Sequence, residues 1–70
     1  MKKEISITIL HRTETHYLTM PARSSVYAAL EHLKIPHTTV ITVRNKTVIP
    51  ESTTLNDNDV LELINVLSGG

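Results

Sequence analysis

Seventy residues, 40% of them apolar and 20% charged, make one small domain near the lower size limit for a single hydrophobic core. Seven basic and seven acidic side chains cancel, which argues against a nucleic-acid binder with a basic face. The absence of cysteine excludes disulfides, thiolate zinc sites and a cysteine nucleophile. No apolar run approaches the roughly 20 residues that span a bilayer. Met1-Lys2-Lys3-Glu4 starts like a signal peptide but passes into an alternating segment rather than a solid apolar block. The expectation is a soluble, cytoplasmic domain.

From Lys3 to Leu10 the chain alternates, with Ile5, Ile7 and Ile9 on one face and Ser6 and Thr8 on the other. Period two with β-branched residues predicts a half-buried strand. His11 to Thr15 is polar and predicts a turn, and His16 to Met20 a second strand with Leu18 and Met20 on one face. These two strands form an antiparallel hairpin. Pro21 ends the second, and Ser24 or Ser25 can cap a helix through its hydroxyl. Val26, Ala29, Leu30 and Leu33 then recur at the spacing of one helical face, with Glu31 and Lys34 away from it. Pro36 disfavours helical geometry at Ile35, so the helix stops near Lys34. Its expected length is about three turns.

Val40 to Arg44 reads as a short strand, Asn45-Lys46 as a turn, and Thr47 to Ile49 as a brief strand closed by Pro50. Glu51 to Asn58 is polar except for Leu55, expected to tuck under the sheet as a plug. Asp57-Asn58-Asp59 is a turn by composition, and Val60 to Val66 is the final strand. The first and last strands are the most apolar, so they belong side by side, and parallel, with the helix over one face. This predicts an α+β layer architecture: a mixed sheet of four to five strands on one amphipathic helix. Ile5, Ile7, Ile9, Leu30, Leu33, Leu61 and Leu63 are the expected core. Residues 1–66 would be the domain and 67–70 a flexible tail.

That tail, Leu67-Ser68-Gly69-Gly70, follows directly on an apolar strand. Little or no side chain surrounds its terminal carboxylate, which makes Gly70 the best candidate for a reactive group. From Val66 the last four residues would reach about 13–14 Å when extended, enough to enter another protein's active site. Glycine suits such threading because it has no Cβ to clash. The bland alternative is an end with no role. On the final strand, Val60, Glu62, Ile64 and Val66 point away from the core if Leu61 and Leu63 point toward it. Ile64 and Val66 would then be an exposed apolar patch beside the tail, a candidate partner-binding surface together with Val60. Scattered apolar surface residues are also ordinary. His11, His16, His32 and His37 show no metal-ligand spacing, and Lys2, Lys3, Lys34 and Lys46 read as solvated charges. No Ser-His-Asp arrangement and no phosphate-cradling glycine loop is present.

The order of elements resembles the ubiquitin-like β-grasp fold, and three stretches resemble the sulfur carriers ThiS and MoaD. Val26-Tyr-Ala-Ala-Leu-Glu-His-Leu-Lys-Ile-Pro36 is similar to their helix-to-strand segment. Val43-Arg-Asn-Lys-Thr-Val-Ile-Pro50 is similar to their Val-Asn-Gly-x-x-Val-Pro hairpin, with Asn45-Lys46 in place of Asn-Gly. Leu55-Asn-Asp-Asn-Asp59, Leu61-Glu-Leu-Ile64 and Leu67-Ser-Gly-Gly70 match their ending, with Asp57-Asn58-Asp59 where Asp-Gly-Asp is usual. The lack of Phe tilts the resemblance toward ThiS, because MoaD relatives often carry aromatic residues at the partner contact.

The resemblance implies ATP-dependent adenylation of Gly70 by a ubiquitin-activating-type adenylyltransferase. Transfer from a sulfur donor would then give a thiocarboxylate for a sulfur-accepting synthase in thiamin thiazole, molybdopterin or tRNA thiolation. On this reading the chain is not an enzyme. It has no catalytic side chain and no permanently bound cofactor, and the ATP is used by the partner. Two alternatives stay open: a protein modifier joined through Gly70 to target lysines, and a β-grasp module that binds partners non-covalently.

Overall fold

Successive side chains of an extended segment point to opposite faces, and β1 (Glu4–His11) uses this to bury Ile5, Ile7 and Ile9 together. The computed structural model describes residues 3–66. The tail expected at 67–70 lies outside the described residues. β2 (Glu14–Pro21) pairs antiparallel with β1 from Glu4↔Pro21 to His11↔Glu14 and buries Leu18 and Met20. The expected turn over His11–Thr15 contracts to the two residues Arg12 and Thr13, because both strands extend further than their apolar alternation does. Arg12 has φ 58°. Positive φ at the first loop residue is the II′ pattern, whose twist suits a tight hairpin.

The helix α1 (Val26–His32) has seven residues, about two turns where about three are expected. Of the two serines that could cap it, Ser25 does: its Oγ accepts a hydrogen bond from the Ala28 N–H at 3.2 Å. Ser24 instead donates its hydroxyl to the Pro21 carbonyl. At the other end Lys34 adopts φ 60°. The Ile35 N–H then reaches the Leu30 carbonyl at 2.9 Å and the Lys34 N–H the Glu31 carbonyl at 3.0 Å. This is a Schellman closure, normally built on glycine. It makes Leu33 the capping residue, so Leu33 only packs, partly buried, against the edge of the core it was expected to fill.

A 3-10 turn over His37–Thr39, which the apolar pattern does not signal, leads into β3 (Val40–Arg44). β4 (Thr47–Ile49) follows, and then β5 (Asp59–Asn65). The sheet order is β2-β1-β5-β3-β4. β5 is central, parallel to β1 and antiparallel to β3. The other six expected core residues are buried, joined by Val26, Ala29 and Met20 among others. Leu55 is 2% exposed in the same cluster, the plug its isolation in a polar stretch suggests. The Asn45-Lys46 turn has φ 54° and 64°. Positive φ at both positions is the I′ geometry that Asn-Gly adopts most easily.

Two stability measurements follow from these contacts. Lys46 bears a left-handed strain that glycine would not. Lys46→Gly is expected to stabilise the domain by about 0.5–1 kcal/mol, the strain relieved less the flexibility added to the unfolded chain. Thermal melts should register a rise of roughly 2–8 °C. Leu55→Ala should cost about 2–5 kcal/mol by removing buried methyl groups and leaving a cavity. Urea titration should show that loss as a lower midpoint.

Candidate interaction face and tail root on the central strand

The loop entering β5 is fixed to both neighbouring strands. The Asp59 carboxylate accepts hydrogen bonds from the Asn56 N–H at 2.8 Å and from Arg44 Nη1 on β3 at 2.9 Å. The Arg44–Asp59 side chains are only 22% and 16% exposed, so solvent screens this pair less than a surface one. On the other side Asp57 Oδ1 accepts from the Ser6 N–H of β1 at 2.8 Å, and the Asn58 N–H donates to the Ser6 carbonyl at 2.7 Å. Asn58 has φ 69°, the left-handed conformation that Asn tolerates better than most residues. This fixes the register in which Asp59 faces Ile7 and Leu61 faces Ile9.

The exit of β5 is held as well. The Asn65 side-chain amide, oriented to satisfy its neighbours, donates to His11 Nε2 at 3.0 Å. Its oxygen accepts from Arg12 Nε and Nη2, each at 2.9 Å. One residue on, the Val66 N–H donates to the Thr39 carbonyl at 3.0 Å. Thr39 is itself tied to the Pro36 carbonyl through its N–H and its hydroxyl. The chain therefore has a fixed position and direction as far as residue 66. Arg12, Lys34, Ile35, Pro36, Thr39 and Val66 line a shallow hollow there. Val66, expected to be exposed, is partly buried. It lies just past the end of β5, keeps the β3–β5 register through its bond to Thr39, and is covered where it lines this hollow with Ile35 and Pro36. Leu67, Ser68, Gly69 and Gly70 lie outside the described residues.

Along β5, Leu61 and Leu63 are buried while Val60 and Ile64 are 52% and 48% exposed, as the alternation predicts. The strand pairings make the exposed face broader than β5 alone suggests. Ile64 lies directly opposite Ile41, and Glu62 lies between Leu10 of β1 and Val43 of β3. Val43 faces Val48, and Thr8 joins Val60 to Tyr17. Leu10, Tyr17, Ile41 and Val48 are all exposed. Sequence reasoning missed these four as partners of Val60 and Ile64. Their parity was legible, but which strands adjoin β5 on each side had to be known before they formed one surface.

His11, His16 and His37 are engaged locally. His37 Nδ1 meets a Glu51 carboxylate oxygen, and its ring lies 5.1 Å from that of Tyr27. His16 faces Glu14 at 3.5 Å. Among the described residues no group of three or more His, Asp or Glu could hold a metal ion, and no helix is long and apolar enough to cross a membrane.

No curated protein matches the chain in sequence. Its fold is shared with several solved structures at low identity. A protein designed on the basis of ubiquitin is 21% identical, with TM-score 0.78 over 96% of this chain and 94% of that one. The ubiquitin of Caldiarchaeum subterraneum is 19% identical, with TM-score 0.73 over 96% of this chain and 99% of that one. A ubiquitin-like domain from Arabidopsis thaliana is 5% identical, with TM-score 0.73 over 91% and 79%. At these identities the likeness establishes the ubiquitin-like β-grasp fold. The ThiS family model matches residues 9–70. The chain has the five-stranded β-grasp sheet with one helix and belongs to the ThiS family.

Proposed function

We propose that this protein is a sulfur carrier, activated at the Gly70 carboxylate and loaded there with sulfur. The observation that carries the reading is the ThiS family match, which runs through residue 70 and includes the Leu67-Ser68-Gly69-Gly70 segment. The geometry of β5 supports it. A strand fixed at entry and exit gives the following segment a rigid base, so a partner that grips the sheet face also sets the direction in which the tail leaves.

A carboxylate resists nucleophiles until one oxygen becomes part of a good leaving group. In the proposed sequence a ubiquitin-activating-type adenylyltransferase joins Gly70 to AMP and releases pyrophosphate from ATP. A sulfur donor's nucleophilic sulfur then attacks the acyl carbon, and AMP departs. With a persulfide as donor the product is an acyl disulfide. A thiolate of the donor or activating enzyme cleaves its S–S bond, ends in a disulfide with the donor sulfur, and leaves a C-terminal thiocarboxylate, which a synthase consumes. The carrier contributes position and a reactive end, and the partner enzymes supply the catalytic groups. Val60 and Ile64, with Leu10 and Ile41 beside them, form the surface on which the activating enzyme and then the synthase dock. Val66 contributes by holding the root of the tail. Use of one face by both enzymes makes their binding mutually exclusive, which suits a carrier that must leave one for the other.

The first test is the intact mass of protein from its native host, with and without brief thiol alkylation. With no cysteine in the chain, rapid alkylation reports an added sulfur. Replacement of one oxygen by sulfur at Gly70 is the expected result. Gly70 joined to lysines of other proteins, with no sulfur found, would favour a modifier instead. Deleting Gly69 and Gly70 should abolish ATP–pyrophosphate exchange by the activating enzyme, and persistence of exchange would overturn the assignment of Gly70.

The docking surface has its own test. Ile64→Asp should raise the carrier concentration for half-maximal adenylation about tenfold or more. Its melting temperature should fall by only a few degrees, because the strand position is half exposed.

A further inference from the structure

The exposed sheet face is apolar, yet its centre holds a carboxylate. Glu62 is exposed on β5 between Val60 and Ile64, with Leu10 beside it on β1 and Val43 on β3. Among the described residues no side chain forms an ion pair or hydrogen bond with it. The alternation of the five strands puts only one other carboxylate on this face, Glu4 near the start of β1, and no Lys, Arg or His. The cations of the neighbourhood are held elsewhere. Arg44 is engaged with Asp59, and Arg12 and Lys34 stand at the root of the tail.

This arrangement constrains what can cover the face. In the free protein Glu62 is hydrated. A partner that buries Val60, Ile64, Leu10 and Ile41 must also remove water from the carboxylate at their centre, which is costly unless an opposite charge replaces that water. A purely apolar partner would bury Glu62 unpaired. A second copy of this chain fares no better: a two-fold contact centred on β5 sets the same patch against itself and brings Glu62 toward its own copy. A partner with a cation at the matching point meets neither difficulty.

We infer that Glu62 is the specificity-determining residue of this face, and that the partner docking there presents a basic side chain to it within an apolar surround. Arginine suits the position best, because its planar guanidinium can grip both carboxylate oxygens and is less strongly hydrated than an ammonium. The inference rests on the proposed use of this face for docking the activating enzyme, and names the charge that the enzyme must carry there.

The experiment uses the full-length carrier and the purified ubiquitin-activating-type enzyme of the same organism. It compares wild type, Glu62→Gln, Glu62→Lys and Ile64→Asp at low and at physiological ionic strength. Glu62→Gln keeps the size of the side chain and removes its charge. It is expected to weaken binding about tenfold or more and to flatten the salt dependence, with Glu62→Lys weaker still. The loss should fall on the half-saturating carrier concentration rather than on the rate at saturation, because Gly70 and not Glu62 is the reacting group.

If Ile64→Asp weakens binding while Glu62→Gln binds as tightly as wild type or more tightly, the face docks the enzyme but the charge pairing is wrong. If neither substitution changes binding, the docking reading fails and takes this inference with it. Sedimentation of the wild type as a dimer that Ile64→Asp dissociates would make a second copy the occupant and overturn the proposal.

Discussion

The placement of β5 between β1 and β3 is the constraint on which the rest of this structure depends. Leu61 and Leu63 on that strand are almost wholly buried against Ile7 and Ile9 of its parallel neighbour and the helix residues Val26, Ala29 and Leu30. Each such side chain contributes about 1.5–3 kcal/mol on burial, a large share of the stability available to so small a domain. Because the side-chain period of a strand is two, burying Leu61 and Leu63 necessarily turns Val60, Glu62 and Ile64 to the opposite face. The core and the candidate interaction surface are thus two consequences of one register. A one-residue slip would exchange them, and the bonds at the strand's entry oppose such a slip: Asp57 accepts from the Ser6 N–H, Asn58 donates to the Ser6 carbonyl, and Asp59 accepts from Arg44.

Much of this was legible in the amino-acid sequence where a single physical signal dominated. Ile5, Ile7 and Ile9 declare a strand by alternation alone, and the apolar content of Leu61-Glu-Leu-Ile64 is enough to place β5 inside the sheet. Leu55 is readable as a buried plug because nothing near it is apolar. The signals failed where geometry rather than hydrophobicity decided. Leu33 has the spacing of a fourth core residue, but it closes the helix because Lys34 takes the left-handed conformation that permits the Schellman bonds. Val66 continues the strand's parity on paper, yet it is partly buried because residues distant in sequence, Lys34, Ile35, Pro36 and Thr39, line the hollow it borders.

The breadth of the exposed face was hidden for a different reason. Ile41, Val48, Leu10 and Tyr17 lie far apart in sequence, and only strand pairing gathers them around Val60 and Ile64. A patch on one strand can be inferred from alternation; a patch across five needs the topology. Glu62 is the clearest instance. Read along the chain it is an ordinary polar residue on the solvent side of a strand. Its apolar surroundings come from β1 and β3, and those surroundings turn a routine surface charge into a constraint on any partner.

The turns point to a further division of labour. Six described residues adopt positive φ, and none is glycine: Arg12, Arg23, Lys34, Asn45, Lys46 and Asn58. Asn accommodates this conformation with modest strain, whereas Arg and Lys do so less readily, at about 1–2 kcal/mol each. The chain's two glycines stand together at Gly69 and Gly70. Stability is therefore sacrificed at four turns that glycine would relax, and the fold tolerates it because the inward side chains of the central strand, Leu61 and Leu63, are so fully buried. What those turns retain instead is charge. Arg12 clasps Asn65, and Lys34 borders the hollow at the root of the tail, so both lie where the chain leaves the sheet. A left-handed turn residue with a long cationic side chain does two things that glycine cannot combine: it reverses the chain and leaves a positive group near Val66. In the proposed carrier the sheet face and the tail root would then present opposite signs of charge to the same partner. Such a pattern orients the domain during approach and does not require a large apolar contact that would slow its release.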